Sequence, residues 1–191
     1  MNGPSTRREF IEASSALVGS AWLAVHWPAI EAAARHARRA LAQRAPFEIL
    51  TPDEARALEA VAAQIIPTDD TPGAREAGVI YFMDRALGSF GAQFLQPIRE
   101  GLPDLVKAAR ATNPAARGFA ELSPKQQAEV LRSMEQTPFF GAVRFLTVAG
   151  MFGDPSYGGN RDRVGWQMIG FDGGHAHQPP FGYYDANARP E

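Results

Sequence analysis

Few side chains in this 191-residue chain have the type and spacing for chemistry, and most of them lie near its two ends. Near the start, Ser5-Thr6-Arg7-Arg8-Glu9-Phe10-Ile11 sets two guanidinium groups just ahead of an aromatic ring. In Thr68-Asp69-Asp70-Thr71-Pro72-Gly73, adjacent carboxylates would attract a cation, yet the same residues are turn formers and caps, and we read a turn. His175-x-His177 offers two imidazoles on a loop without a third ligand nearby, so a solvent-exposed pair explains them. Asp154, Asp162 and Asp172 would be an acid/base set only if they converged; turn formation and interface pairing account for them equally well. Ser156 stands in D-P-S-Y-G, which is no nucleophile elbow, and it has no histidine partner in view. No catalytic, cofactor-binding or metal-ligating residue is assigned.

Composition narrows the chemistry further. The chain has no cysteine, which excludes a disulfide scaffold, a thiolate zinc site, an iron–sulfur cluster and a cysteine nucleophile. The absence of thiols is compatible with export to an oxidising compartment. A formal net charge of −2 gives no general attraction to nucleic acid. No G-x-G-x-x-G follows a strand-like run, and the glycines at 88–91 and 170–174 lack a βαβ context, so neither FAD nor NAD has a dinucleotide fold here.

The elements that must position these residues read as helices. Alanine occurs 33 times, 30 of them before Met151, and alanine loses no rotamer entropy in a helix. Residues 151–191 reverse the balance, with 8 of the 18 glycines. Thr51-Pro52-Asp53-Glu54 predicts a capped helix start, with Leu58, Val61, Ala62 and Ile65 inward and Pro67 as the stop. A second helix is predicted from about Ala74 to Leu87, with Val79, Phe82, Met83 and Ala86 inward. A third carries Phe94, Ile98, Leu102, Leu105 and Val106, with Pro97 and Gly101-Leu102-Pro103 as points of kinking or division. Ser123-Pro124-Lys125-Gln126 repeats the capping pattern, and Val130, Leu131 and Met134 face the core. Phe139 to Met151 is apolar nearly all round apart from Arg144, which predicts a central helix. The fold class is therefore all-α: a small irregular helical bundle with a Gly/aromatic-rich, non-regular C-terminal segment. Residues 1–45 form a leader and following helix, and 46–191 a helical domain ending in a loop segment, 150–191.

The leader has a charged start, a moderately apolar stretch from Ala13 to Val25, and small residues beyond. Arg7, Arg8 and Phe10 resemble the twin-arginine (Tat) export signal, with Ile11 in place of the usual leucine and Glu12 in place of the frequent lysine. The apolar stretch is too short and too rich in serine and glycine for a spanning helix, which needs about 18 apolar residues. Ala32-Ala33-Ala34 offers a cleavage site, although the helical pattern runs on to Arg44. Arg35, Arg38, Arg39 and Arg44 read as a solvated face.

The most individual stretch is Phe152-Gly153-Asp154-Pro155-Ser156-Tyr157-Gly158-Gly159-Asn160, followed by Gly165-Trp166-Gln167-Met168-Ile169-Gly170-Phe171. Asp154-Pro155 starts a turn, Gly158-Gly159 permits positive φ or close backbone approach, and Asn160 is able to bond its own backbone. Tyr157, Trp166 and Phe171 are large aromatics on irregular backbone, the kind of group that anchors protein interfaces. This block, F-x-D-P-x-Y-G-G-N then G-W-x-x-I-G, resembles the C-terminal signature of the gluconate 2-dehydrogenase subunit 3 family. Pro67, Pro72-Gly73-Ala74 and Glu76-Ala77-Gly78-Val79 also resemble that family, so the likeness runs from Thr6 to about Gly174.

The resemblance implies a cofactor-free small subunit. Its partner would be a large FAD-binding dehydrogenase subunit of the glucose–methanol–choline (GMC) type, acting on sugars, sugar acids or polyols. A multihaem cytochrome c often completes such complexes and passes electrons to quinone. The resemblance also implies an escort: the small subunit carries the Tat signal and takes the folded flavoprotein to the periplasm, aiding its folding or flavin loading. Asp154, Pro155, Tyr157, Gly158, Gly159, Asn160, Gly165, Trp166 and Phe171 are then expected at the partner interface. Two other readings stand beside this one. An independent carbohydrate-acting enzyme would use Asp154, Tyr157 and His175; a scaffold module would be held at the membrane by an uncleaved leader.

Overall fold

The computed structural model describes residues 46–171, with Pro28, Ala29 and Ala32. The export-signal residues Arg7, Arg8 and Phe10, together with His175, His177 and the C-terminal tail, lie outside the described residues. Among the described residues the fold is all-α, six α-helices joined by turns and four short 3₁₀ segments, with no strand.

Helix α1 (Pro52–Ile65) opens on the expected capping box: Thr51 accepts from the Glu54 N–H, and Glu54 reaches back to the Thr51 N–H at 2.8 Å. Its Leu58, Val61 and Ala62 are buried. Helix α2 is Val79–Leu87, five residues shorter at its start than the sequence pattern predicts. Residues 74–78 form turns instead, because Gly78 adopts φ +69°, a left-handed conformation that a right-handed helix cannot contain. Helix α3 (Leu95–Thr112) runs unbroken through Pro103, whose ring sits on the exposed face, so the expected division does not occur. Pro97 falls in its first turn, where the missing N–H breaks no helical bond.

Helix α4 (Pro124–Met134) carries the second capping box, Ser123 with Gln126, and buries Val130, Leu131 and Met134. Helix α5 (Pro138–Phe152) packs against each of the other five α-helices, as its all-round apolar sequence predicts. Phe139, Val143, Leu146 and Met151 of α5 are at most 2% exposed. The short α6 (Val164–Ile169) follows the Gly-rich loop and lies back against the end of α5.

Candidate functional site

The C-terminal end of α5 is where the two most distinctive stretches of sequence meet. From the last turn of α5, the Gly150 carbonyl accepts the Asn160 N–H at 2.7 Å, closing the loop 153–159 on itself. The next N–H along, that of Arg161, donates to the Ala77 carbonyl at 3.1 Å. A single step of backbone therefore joins the loop both to the central helix and to the turn ahead of α2, across more than eighty residues of chain.

Local chemistry builds the loop. Asp154 starts it, its carboxylate accepting the Ser156 N–H at 2.7 Å, with Pro155 setting the first 3₁₀ position. Gly158 takes φ +90°, and the chain doubles back. Gly159 then lies so close to α5 that a Cβ there would come 2.0 Å from the Gly150 oxygen. Gly165 is tighter still, its Cβ position 1.9 Å from the Met151 oxygen. Only glycine permits these approaches.

Asn160 is the keystone. It is fully buried, and its amide works in both directions: Nδ2 donates to the Gly153 carbonyl and Oδ1 accepts from the Gly165 N–H, each at 2.8 Å. It holds φ +47°, a conformation asparagine tolerates better than most residues. Asp162 and Arg163 also have positive φ, at +55° and +61°. Three such residues within four positions persist only because the surrounding bonds over-determine the backbone. Trp166 completes the latch by donating from Nε1 to the Phe152 carbonyl at 2.9 Å, and it is 8% exposed.

On the other side of the junction, Glu76 organises the turn 67–76. One carboxylate oxygen accepts from the Thr68 hydroxyl at 2.7 Å and from the Gly73 N–H at 2.8 Å. These bonds, the Thr68 hydroxyl foremost, hold its pKa below the usual glutamate value. Asp69 forms the expected turn by accepting from the N–H and hydroxyl of Thr71. Among the described residues no group of three His, Asp or Glu is arranged to hold a metal.

Both stretches lie within residues 52–174, which match the sequence pattern of gluconate 2-dehydrogenase subunit 3. The chain belongs to the gluconate 2-dehydrogenase subunit 3 family. No curated protein and no solved structure matches it.

The family signature is divided by burial. Gly158, Gly159, Asn160, Gly165 and Trp166, all expected to face a partner, are inside this chain, where they hold its own backbone. Close approach and hydrogen bonding within the chain bury these five. Phe171 is 42% exposed, its ring edge-on to Trp166 at 5.0 Å. Asp154 and Pro155 are half-buried. Ile169 is 47% exposed and makes, with Phe171, the pair of exposed large apolar side chains among the described residues.

Sequence reasoning missed Asp84 and Arg85, both buried at the end of α2. The available signal was two adjacent charges in an otherwise apolar helix, Val79–Leu87.

Proposed function

We propose that this chain is the non-catalytic small subunit of a periplasmic FAD-dependent dehydrogenase of the GMC type, acting on sugars, sugar acids or polyols. Membership of the family supports a place in a multi-subunit dehydrogenase complex. The observation that supports a non-catalytic role is how the family signature is used. Its polar groups face the chain's own backbone: the Asn160 amide and the Trp166 N–H bond α5 and α6, and the Asp154 carboxylate bonds Ser156. Side chains engaged in this way are suited to shaping a surface, which supports the non-catalytic reading.

In this reading the flavin and the substrate pocket belong to the large subunit, and a cytochrome c subunit takes the electrons onward. The surface around Phe171, Ile169, Asp154 and Pro155 clasps the large subunit, while the latch beneath keeps it rigid. Arg7, Arg8 and Phe10 route the folded pair through the Tat machinery to the periplasm, peripheral to the inner membrane. No described helix is long and apolar enough to cross a membrane.

Co-expression tests the escort. The large subunit is produced with the wild-type chain, without it, or with a chain carrying Arg7→Lys and Arg8→Lys, and its periplasmic fraction is measured. Export with wild type alone is expected. Equal export of flavin-loaded large subunit in all three strains would overturn the reading.

A further inference from the structure

Among the described residues, positive φ occurs at Gly78, Gly158, Asn160, Asp162, Arg163 and Gly170. Glycine adopts it without a steric cost. Asn160 offsets its cost inside the chain, through two side-chain bonds of 2.8 Å. Asp162 is a residue type enriched in this conformation; its carbonyl accepts from Gln167 at 3.1 Å, and its carboxylate lies 3.5 Å from Arg161. Arg163 has no such offset. At φ +61° its Cβ crowds the backbone, yet the side chain is exposed and makes no hydrogen bond, ion pair or ring contact among the described residues. What Arg163 does contribute is a backbone N–H donated to the Asn160 carbonyl at 2.9 Å, a bond that glycine would keep.

Its position is also electrostatically unfavourable. Arg163 is the residue ahead of α6, where a cation opposes the helix dipole. Helix α6 is six residues, about 9 Å, long, so Arg163 stands at one end of it and the exposed Ile169 and Phe171 at the other. Between them, Gly165 is bonded to Asn160 and Trp166 to the Phe152 carbonyl, which leaves the segment little freedom to relax the strain. An arginine beside exposed apolar side chains on a rigid support is the composition of a protein interface.

We propose that Arg163 is a charged anchor for the large dehydrogenase subunit, held in a strained conformation so that its guanidinium meets a carboxylate of that subunit. The proposal rests on the reading of this chain as the small subunit of a dehydrogenase, and it adds a residue and a partner chemistry to the surface around Phe171 and Ile169. A guanidinium binds a carboxylate through two parallel bonds, and the apolar contact alongside excludes water from them. Strain carried by the free chain is thereby offset in the complex, where a glycine would have nothing to offer.

The test sets the stability of the full-length chain against its affinity for the purified, flavin-bearing large subunit. Arg163→Gly moves the two in opposite directions: the melting temperature of the chain alone rises by about 2–4 °C, and affinity falls by about 10-fold or more. Its binding is also less sensitive to added salt than that of wild type. Arg163→Lys, which keeps the charge and loses the planar fork, leaves the melting temperature unchanged and weakens binding by less than Arg163→Gly does. A lower melting temperature in Arg163→Gly would assign the side chain to the chain's own fold and overturn the proposal. Undiminished affinity in Arg163→Gly would overturn it too, while leaving the small-subunit reading standing. Failure of the wild-type chain to bind the large subunit at all would mean that the small-subunit reading itself has failed, and the anchor with it.

Discussion

At the scale of single residues, Asn160 governs how the C-terminal segment is held. Asn160→Ala removes the two side-chain bonds and leaves the Gly153 carbonyl and Gly165 N–H without these partners. A loss of about 3 kcal/mol follows, since each orphaned buried group costs about 1–3 kcal/mol; denaturant titration measures it. Trp166→Ala should destabilise the isolated chain by about 3 kcal/mol, through lost packing and a freed Phe152 carbonyl. Phe171→Ala is the contrast. Its exposed ring anchors no core, so stability is expected to change by less than about 0.5 kcal/mol, while affinity for the large subunit drops by about 2 kcal/mol in a binding titration. The sequence made Asn160, Gly158, Gly159 and Trp166 recognisable as special, and it indicated a backbone-bonding asparagine. It did not show which of them face inward, because a Cβ collision with the Gly150 or Met151 oxygen depends on how the loop folds back onto the end of α5.

At the scale of elements, local chemistry was the readable part. Both capping boxes, the stop before Pro67 and the central α5 follow from patterns within a few residues. The start of α2 was not readable, because the left-handed Gly78 is set by the turn organised around Glu76. Of the kinking or division expected at Pro103, division does not occur: α3 continues past it with the ring on the exposed face, a placement that depends on how α3 packs. Two predictions belong here. Gly141 lies within α5, exposed, with open space where a Cβ would go, so Gly141→Ala should stabilise the chain by about 0.5–1 kcal/mol in thermal unfolding.

The second concerns acid. Glu76 is held below the ordinary 4.5 by the Thr68 hydroxyl first, against some desolvation. For Glu54, burial acts to raise the pKa, but hydrogen bonds from Thr51 and the charge of Arg99 outweigh it, and the net shift from 4.5 is downward. A folded-state pKa below the unfolded one gives stability that is present above 4.5 and disappears as pH falls through the depressed value. Stability should therefore decline below that pH. Glu76→Gln should make the decline shallower, and Thr68→Val should do so in part; a decline unchanged in both variants would exclude Glu76 as a contributor.

At the scale of the whole molecule, a helical body is locked at both ends of its described length. Asp84 ties down the residues ahead of α1, and Asn160 ties down the residues beyond α5. Such a body suits a rigid part of an assembly, with its exposed apolar pair beside the second lock. The central claim is that this chain works by holding a flavin-bearing companion and performs no redox chemistry of its own. The most direct measurement is sugar-dependent dye reduction, with flavin content, by the purified chain alone and by the purified pair. The account predicts flavin and turnover in the pair and neither in the chain alone. Turnover by the isolated chain, at a rate the large subunit does not raise, would contradict it.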